Sequence, residues 1–231
     1  MTDQVLDSML GRDISHLIPP ADGVPGIVAM PGRDQEVWER AVGHLHVRDN
    51  DVHTIYAYGL ATALLSEVPE ARADIVLPAI ILHDTGWSAV PEAQVLEAIA
   101  PAPRHPELVP VHEAEGARIA SEILADLRFP EADAAEIAGI VDGHDTRMSA
   151  LSASDACVKD ADKLWRLTPH GLSTVQRWFG LNAGQALRLV SVRTHDHLCT
   201  DAGRAMARVL AAVASVNLAP QRLALNGGQA R

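Results

Sequence analysis

The chain has 231 residues, enough for one large domain, and 48% of them are hydrophobic while only 3% are aromatic, so a sizeable aliphatic core is available. A formal net charge of -11 and a pI near 5.4 argue against a binder of nucleic-acid duplexes or anionic membranes, both of which would repel it at long range. The cysteines, Cys157 and Cys199, form no CxxC pair, the opening MTDQVLDSML carries no signal-peptide pattern, and no apolar run approaches a membrane span, so the expectation is a cytoplasmic protein.

In chain order, residues 1–33 are rich in Pro and Gly (IPPADGVPG, then MPG) and read as an irregular lead-in. Residues 34–216 read as one helical domain, and 217–231 as a flexible tail. Asp34 can cap a helix through QEVWERAVGHLH. The next helix places Val52, Ile55, Tyr56, Leu60, Ala63 and Leu64 at helical spacing, with Asn50 or Asp51 as cap. ARADIVLPAIILHD is apolar nearly all round, which makes it central, and Pro78 should bend it. PEAQVLEAIA is a short helix, PAPRHPELVP a proline-rich loop, and VHEAEGARIASEILADLRF a strongly periodic helix. EADAAEIAGIVDGH and SDACVKDADKLWRL follow as helices, and further helical segments come after Pro169. Thr200 to Val216 is amphipathic and could cover the core or pair with a second copy of the chain. With no alternating strand pattern, the expected fold class is all-α.

The histidines and aspartates fall on or beside these apolar helices. His53 flanks the stripe of its helix, His83 and Asp84 end the third, and His112 opens the long periodic one. His144 and Asp145 follow the next helix, and Asp160 and Asp162 lie in DACVKDADKL. Polar groups so placed are costly unless something binds them together, and a shared cation would do so. Mixed imidazole and carboxylate donors suit Fe, Mn, Zn, Ni or Mg, while the absence of cysteine among them argues against a structural zinc cage. Asp160 and Asp162 are two apart on a helix and face different ways, so one of them is expected to face the site.

These residues resemble the HD-domain superfamily of metal-dependent phosphohydrolases. The resemblance rests on His53, on AIILHDTG with His83 and Asp84, on HEAEGARIASEIL with His112, on DGHD with His144, and on DADKL with Asp162, over roughly residues 45–166. It implies a helical bundle with one or two divalent metal ions at its centre. His53, His83, Asp84 and Asp162 would hold the first ion; Asp84, His112 and His144 would hold a second, with Asp145 beside it. It also implies hydrolysis of a small phosphorylated substrate by a metal-bound hydroxide, with Asp84, His112 and His144 as catalytic residues. Arg147 and Lys163, each close in sequence to an expected ligand, would meet the phosphate. Some members that cleave cyclic dinucleotides carry His-His where this chain has His144-Asp145, and their Gly-Tyr-Pro signature is missing here. Other HD-fold proteins use the same ordered set with two irons to cleave C–C or C–P bonds, and sequence order does not separate the two chemistries.

Blander readings apply elsewhere. His195-Asp196, followed by His197, lacks the long apolar run and reads as a helix junction or pocket rim. His44 and His46 read as exposed loop, and His16, His105 and His170 as surface. Trp38, Trp87, Trp165 and Trp178 read as packing residues, with Trp87 able to line a pocket three positions after Asp84. Substrate specificity is expected in the loops 101–110 and 145–155.

Overall fold

The computed structural model describes residues 11–21, 24–30 and 32–227; the opening MTDQVLDSML and the last four residues of the expected tail lie outside them. The chain divides into two units, Met1–Met30 and Pro31–Arg231, a boundary slightly earlier than the composition suggested. The described residues of the first unit form a 3₁₀ turn, Ser15–Leu17, within otherwise irregular chain.

The second unit opens with α1 (Gly32–Ala41), α2 (Asn50–Leu65), α3 (Ala73–Leu82) and α4 (Glu92–Ile99). It continues with α5 (Leu108–Asp126), α6 (Glu131–Val141), α7 (Ala153–Trp165) and α8 (Pro169–Phe179). It closes with α9 (Ala183–His195), α10 (Asp201–Val216) and α11 (Pro220–Gly227), and no strand occurs among the described residues. None of these helices is long and apolar enough to cross a membrane.

Helix α3 is the post around which the others pack. Ile75, Val76, Ala79, Ile80, Ile81 and Leu82 are wholly shielded from solvent, because α1, α2, α6 and α7 cover the helix. Burying a large aliphatic side chain contributes about 1.5–3 kcal/mol, so packing readily outweighs the backbone hydrogen bond that Pro78 removes. The helix ends at Leu82, whose carbonyl accepts from Thr85 Oγ1 at 2.7 Å, and a 3₁₀ turn, Thr85–Ala89, follows.

That turn lies directly on α5. A Cβ at Gly86 would overlap the His112 carbonyl and the Gly116 nitrogen, and the Cβ position of Gly116 is 3.4 Å from the His83 carbonyl. Two glycines thus allow the end of α3 and the first turns of α5 to approach closely enough for His83, Asp84 and His112 to share one site.

Side-chain caps set the later helices. Ser152 caps α7, Thr168 caps α8 with Pro169 at its first position, Asn182 and Gln185 form a capping box on α9, and Thr200 caps α10. Asp160 supports the last of these, accepting from Cys199 N at 2.6 Å and from Thr200 N and Oγ1 at 2.9 and 2.7 Å. It therefore ties α7 to α10.

Several local expectations are corrected. Asp34 sits in the first turn of α1 and accepts the Tyr58 hydroxyl at 2.7 Å instead of capping the helix. The cap of α2 is Asp49, with a left-handed backbone (φ 61°) and no side-chain hydrogen bond, and Asn50 is buried. Helix α5 starts inside the stretch read as loop, since Pro110 falls in its first turn, where no N–H is required. The stretch after 217 contains α11.

Gly86→Ala tests the close approach. It should destabilise the protein by about 1–3 kcal/mol or more in denaturant unfolding and lower metal uptake, because the turn must withdraw from α5.

Candidate metal centre

Five segments converge at the middle of the second unit. His53 lies in the first turns of α2, His83 and Asp84 follow α3, His112 lies in the first turns of α5, His144 and Asp145 follow α6, and Asp162 lies near the end of α7. Both His83 and His112 have no exposure to solvent, and His53, Asp84, His144 and Asp162 are buried beside them.

Asp84 stands between two groups of imidazoles. Its Oδ2 is 3.5 Å from His53 Nε2 and 3.6 Å from His83 Nε2; its Oδ1 is 3.6 Å from His144 Nε2 and 3.8 Å from His112 Nε2. On one side Asp162 Oδ1 lies 3.5 Å from His53 and 3.8 Å from His83. On the other, Asp145 Oδ2 lies 3.7 Å from His144 and 3.9 Å from His112. Three sets of donor atoms can each surround one ion: His53, His83 and Asp162; His83, Asp84 and His144; and His112, His144 and Asp145.

The hydrogen bonds show what this arrangement lacks. His83 Nδ1 meets the Ile80 carbonyl at 2.8 Å and His144 Nδ1 meets the Val141 carbonyl at 2.9 Å. A carbonyl can only accept, so both Nδ1 atoms carry hydrogen and both Nε2 atoms turn inward as the coordinating positions. The gaps of 3.5–3.9 Å between Nε2 atoms and carboxylate oxygens are long for hydrogen bonds. They match donor atoms sharing an ion, which at ~2.0–2.2 Å from the metal lie roughly 3–4 Å apart. Asp162 turns Oδ1 to His53 and His83, while its Oδ2 lies 3.5 Å from Arg166 Nη1. The residues present therefore fit a divalent cation.

Protonation follows the same logic. Burial lowers His53 and His112 to about 4. It also works against the charged form of His144, yet the carboxylates of Asp145 and Asp84 outweigh it and push that imidazole up to about 9. His83 is raised for the same reason, by Asp84 and Asp162. Burial opposes the charge of Asp84, but His83, His144 and His53 hold its carboxyl well below the usual range. For Asp162 burial is likewise outweighed, by Arg166, His83 and Lys163. Without metal the site recruits protons because its carboxylates demand positive charge.

Surrounding residues fix this geometry. Trp87 donates its indole N–H to Asp84 Oδ1 at 3.1 Å and stacks on His112 with ring centroids 3.9 Å apart. Trp165 meets His53 edge-on at 4.5 Å. The loop carrying His144 and Asp145 is clamped from two sides. Glu113, buried in α5, accepts from Asp145 N, Thr146 N and Thr146 Oγ1 at 2.8, 2.9 and 2.6 Å. Lys159, buried in α7, donates to the carbonyls of Gly143, His144 and Arg147 at 2.7, 2.9 and 2.9 Å.

Among the remaining expected residues, Arg147 lies apart from the centre. Its guanidinium is held by Asp155 at 3.3 Å and by the carbonyls of Gly139 and Asp142, and it lies outside the cavity that opens onto the centre. Lys163 does line that cavity. The cations that sequence reasoning missed are Arg48, Arg166 and Arg193, which line it too. Arg166 was accessible in principle, being one helical turn after Asp162 and so on the same face. His170 is corrected: it lines the cavity, accepts from Trp165 Nε1 at 3.1 Å and stacks on Tyr56. His197 stands at the cavity wall, while His16 and His46 are exposed and His105 is half-buried. Trp87, Trp165 and Trp178 line the cavity as well as packing. The loops expected to set specificity contribute Pro101, Asp145 and Met148, but much of the wall comes from α8 and α9.

A helical bundle that gathers His, His-Asp, His, His and Asp around one buried point defines a class of metal-binding helical domains. Residues 50–167, just over half of the chain, match the HD-domain family model, and the chain belongs to that family. No curated protein and no solved structure matches it. HD domains bind divalent metals and are generally hydrolases, and the His/Asp clusters here could hold such ions.

Two outcomes are expected. Titrating the metal-free protein with Mn²⁺ at pH 7 releases protons, since a cation must displace those on His144 and His83, and affinity rises with pH toward about 9, where His144 loses its proton. Calorimetry in buffers of different ionisation enthalpy reads this directly. Glu113→Ala leaves the backbone N–H groups of Asp145 and Thr146 without their acceptor, lowering stability by about 1 kcal/mol or more and reducing the metal content counted by elemental analysis.

Proposed function

We propose that the chain is a metal-dependent phosphohydrolase acting on a small phosphate ester or nucleotide. The observation that carries this reading is the bridging position of Asp84, whose two carboxylate oxygens face separate imidazole pairs beneath a cavity lined by Arg48, Lys163 and Arg166. His53, His83, Asp84 and Asp162 would hold one divalent ion, and Asp84, His112, His144 and Asp145 a second. Ions held there would lower the pKa of bound water toward neutrality and neutralise phosphoryl oxygens.

The protein's own groups do the rest. A phosphate ester brings negative charge to a chain that is already acidic, and the cavity offsets this locally with cationic side chains. Arg166 and Lys163 stand 3.5 and 3.8 Å from Asp162 Oδ2, so each can turn from that carboxylate to a phosphoryl oxygen. Arg48 lines the same cavity. Trp87 and the Glu113–Lys159 clamp hold Asp84, His144 and Asp145 in place, so positioning is established before substrate arrives.

Anaerobic assay of the Mn²⁺-loaded protein against a panel of phosphate esters and nucleotides should release inorganic phosphate. Asp84→Asn should lower kcat/KM by about 100-fold or more, since even residues behind metal ligands are worth 10–100-fold. Turnover that demands iron and oxygen, with no phosphate released anaerobically, would replace this reading with oxygenase chemistry.

A further inference from the structure

The cavity above the centre has a volume of about 290 Å³, and its floor is His53, Asp84, Asp145 and Asp162. That is space for roughly ten water molecules at ~30 Å³ each, which suits a small organic molecule. Its walls have two characters. Arg48, Lys163, Arg166 and Arg193 are cationic; Val175, Trp178 and Phe179 of α8 and Leu189 and Val190 of α9 are apolar, and Thr174 and Thr194 stand among them. These apolar residues all lie beyond residue 167, where the family match ends.

Arg48 is cationic and lies against two indoles of the lining. It and Asp49 are consecutive non-glycine residues in the left-handed region, φ 54° and 61°, and such backbone is held only where its surroundings enforce it. Here they do: the guanidinium carbon lies 5.5 Å from the Trp87 ring and 5.1 Å from the Trp178 ring. Arg48 Nε and Nη1 are shielded from solvent and have no hydrogen-bond partner among the described residues. A guanidinium fixed between two indoles with donors unsatisfied is a preformed place for an anionic oxygen. His170 adds one polar group to the outer wall. Its Nδ1 accepts from Trp165, so Nε2 carries the proton and can donate to a substrate.

We infer that the substrate is a small amphiphilic anion: Arg48 and Arg166 take its phosphate, and an apolar, flat organic body lies against the wall formed by α8 and α9. The identity of the head group rests on the phosphohydrolase reading; the apolar body does not. A hydroxyl-rich body such as glycerol or a sugar would lose hydrogen bonds to water against Val175, Phe179 and Val190, whereas a ring would gain by burial.

Calorimetric binding of inorganic phosphate, methyl phosphate and phenyl phosphate to the Mn²⁺-loaded protein tests this. Phenyl phosphate should bind roughly 10- to 100-fold more tightly than methyl phosphate. Trp178→Ala should erase most of that preference, and Trp178→Phe should keep most of it. Arg48→Ala should weaken all three ligands by about tenfold or more. Equal binding of phenyl and methyl phosphate by the wild-type protein would overturn the inference, and it needs no variant to fold. An unchanged phosphate affinity in Arg48→Ala would remove the role assigned to Arg48. Turnover separates the two readings: phenyl phosphate bound preferentially but never hydrolysed sinks the phosphohydrolase and spares the apolar wall, while hydrolysis of both esters with equal kcat/KM does the reverse.

Discussion

The structure depends on one unresolved attraction: buried carboxylates held among imidazole nitrogens at distances too long for hydrogen bonds and right for a shared cation. Asp84 is the centre of it, with one oxygen toward His53 and His83 and the other toward His144 and His112. Such a cluster would drive helices apart if it carried net negative charge in an apolar interior. Protons on His144 and His83 relieve it in the metal-free chain, and a divalent ion relieves it more fully. The aliphatic faces of α3, α5 and α7 supply the stability that lets the bundle hold these groups together.

Much of this was legible in the sequence. An apolar α3 ending in His83-Asp84 and glycine, and a helix carrying DADKL, are local patterns whose physical meaning survives without coordinates. Helical geometry says that one of Asp160 and Asp162 faces the site, and the DADKL resemblance points to Asp162; the structure puts Asp162 beside His53 and His83 and gives Asp160 a separate task at the start of α10. The cations were harder. Arg147 follows a glycine turn, and its long side chain folds back onto carbonyls and Asp155, which no spacing rule foretells. Arg48 reaches the cavity through a left-handed backbone, a conformation the residues VRDND do not advertise. Glu113 and Lys159 read as ordinary helix charges until the loop they hold is seen between them. The tail helix α11 was missed because residues 217–231 read as loose from their terminal position, although Pro220 is well placed to start a helix.

The metal-ligand type residues and the outer lining of the cavity occupy different stretches of chain. The ligand-type residues fall within 53–162, whereas α8 and α9 furnish much of the cavity wall. Trp165 joins the two, meeting His53 on one side and His170 on the other. A change in the outer wall can therefore reach the centre through a single indole, and His53 is the imidazole that would feel it first.

The imidazole tethers at Ile80 and Val141 have one more consequence. Both belong to the last turns of helices, α3 and α6, whose carbonyl ends abut the site. The terminal carbonyls of a helix act together as about half an elementary negative charge. Two such termini add a backbone field to that of the aspartates, and no side-chain substitution can remove it. The same field disfavours an incoming anion, so the arginines of the cavity answer the peptide backbone as much as they answer the carboxylates.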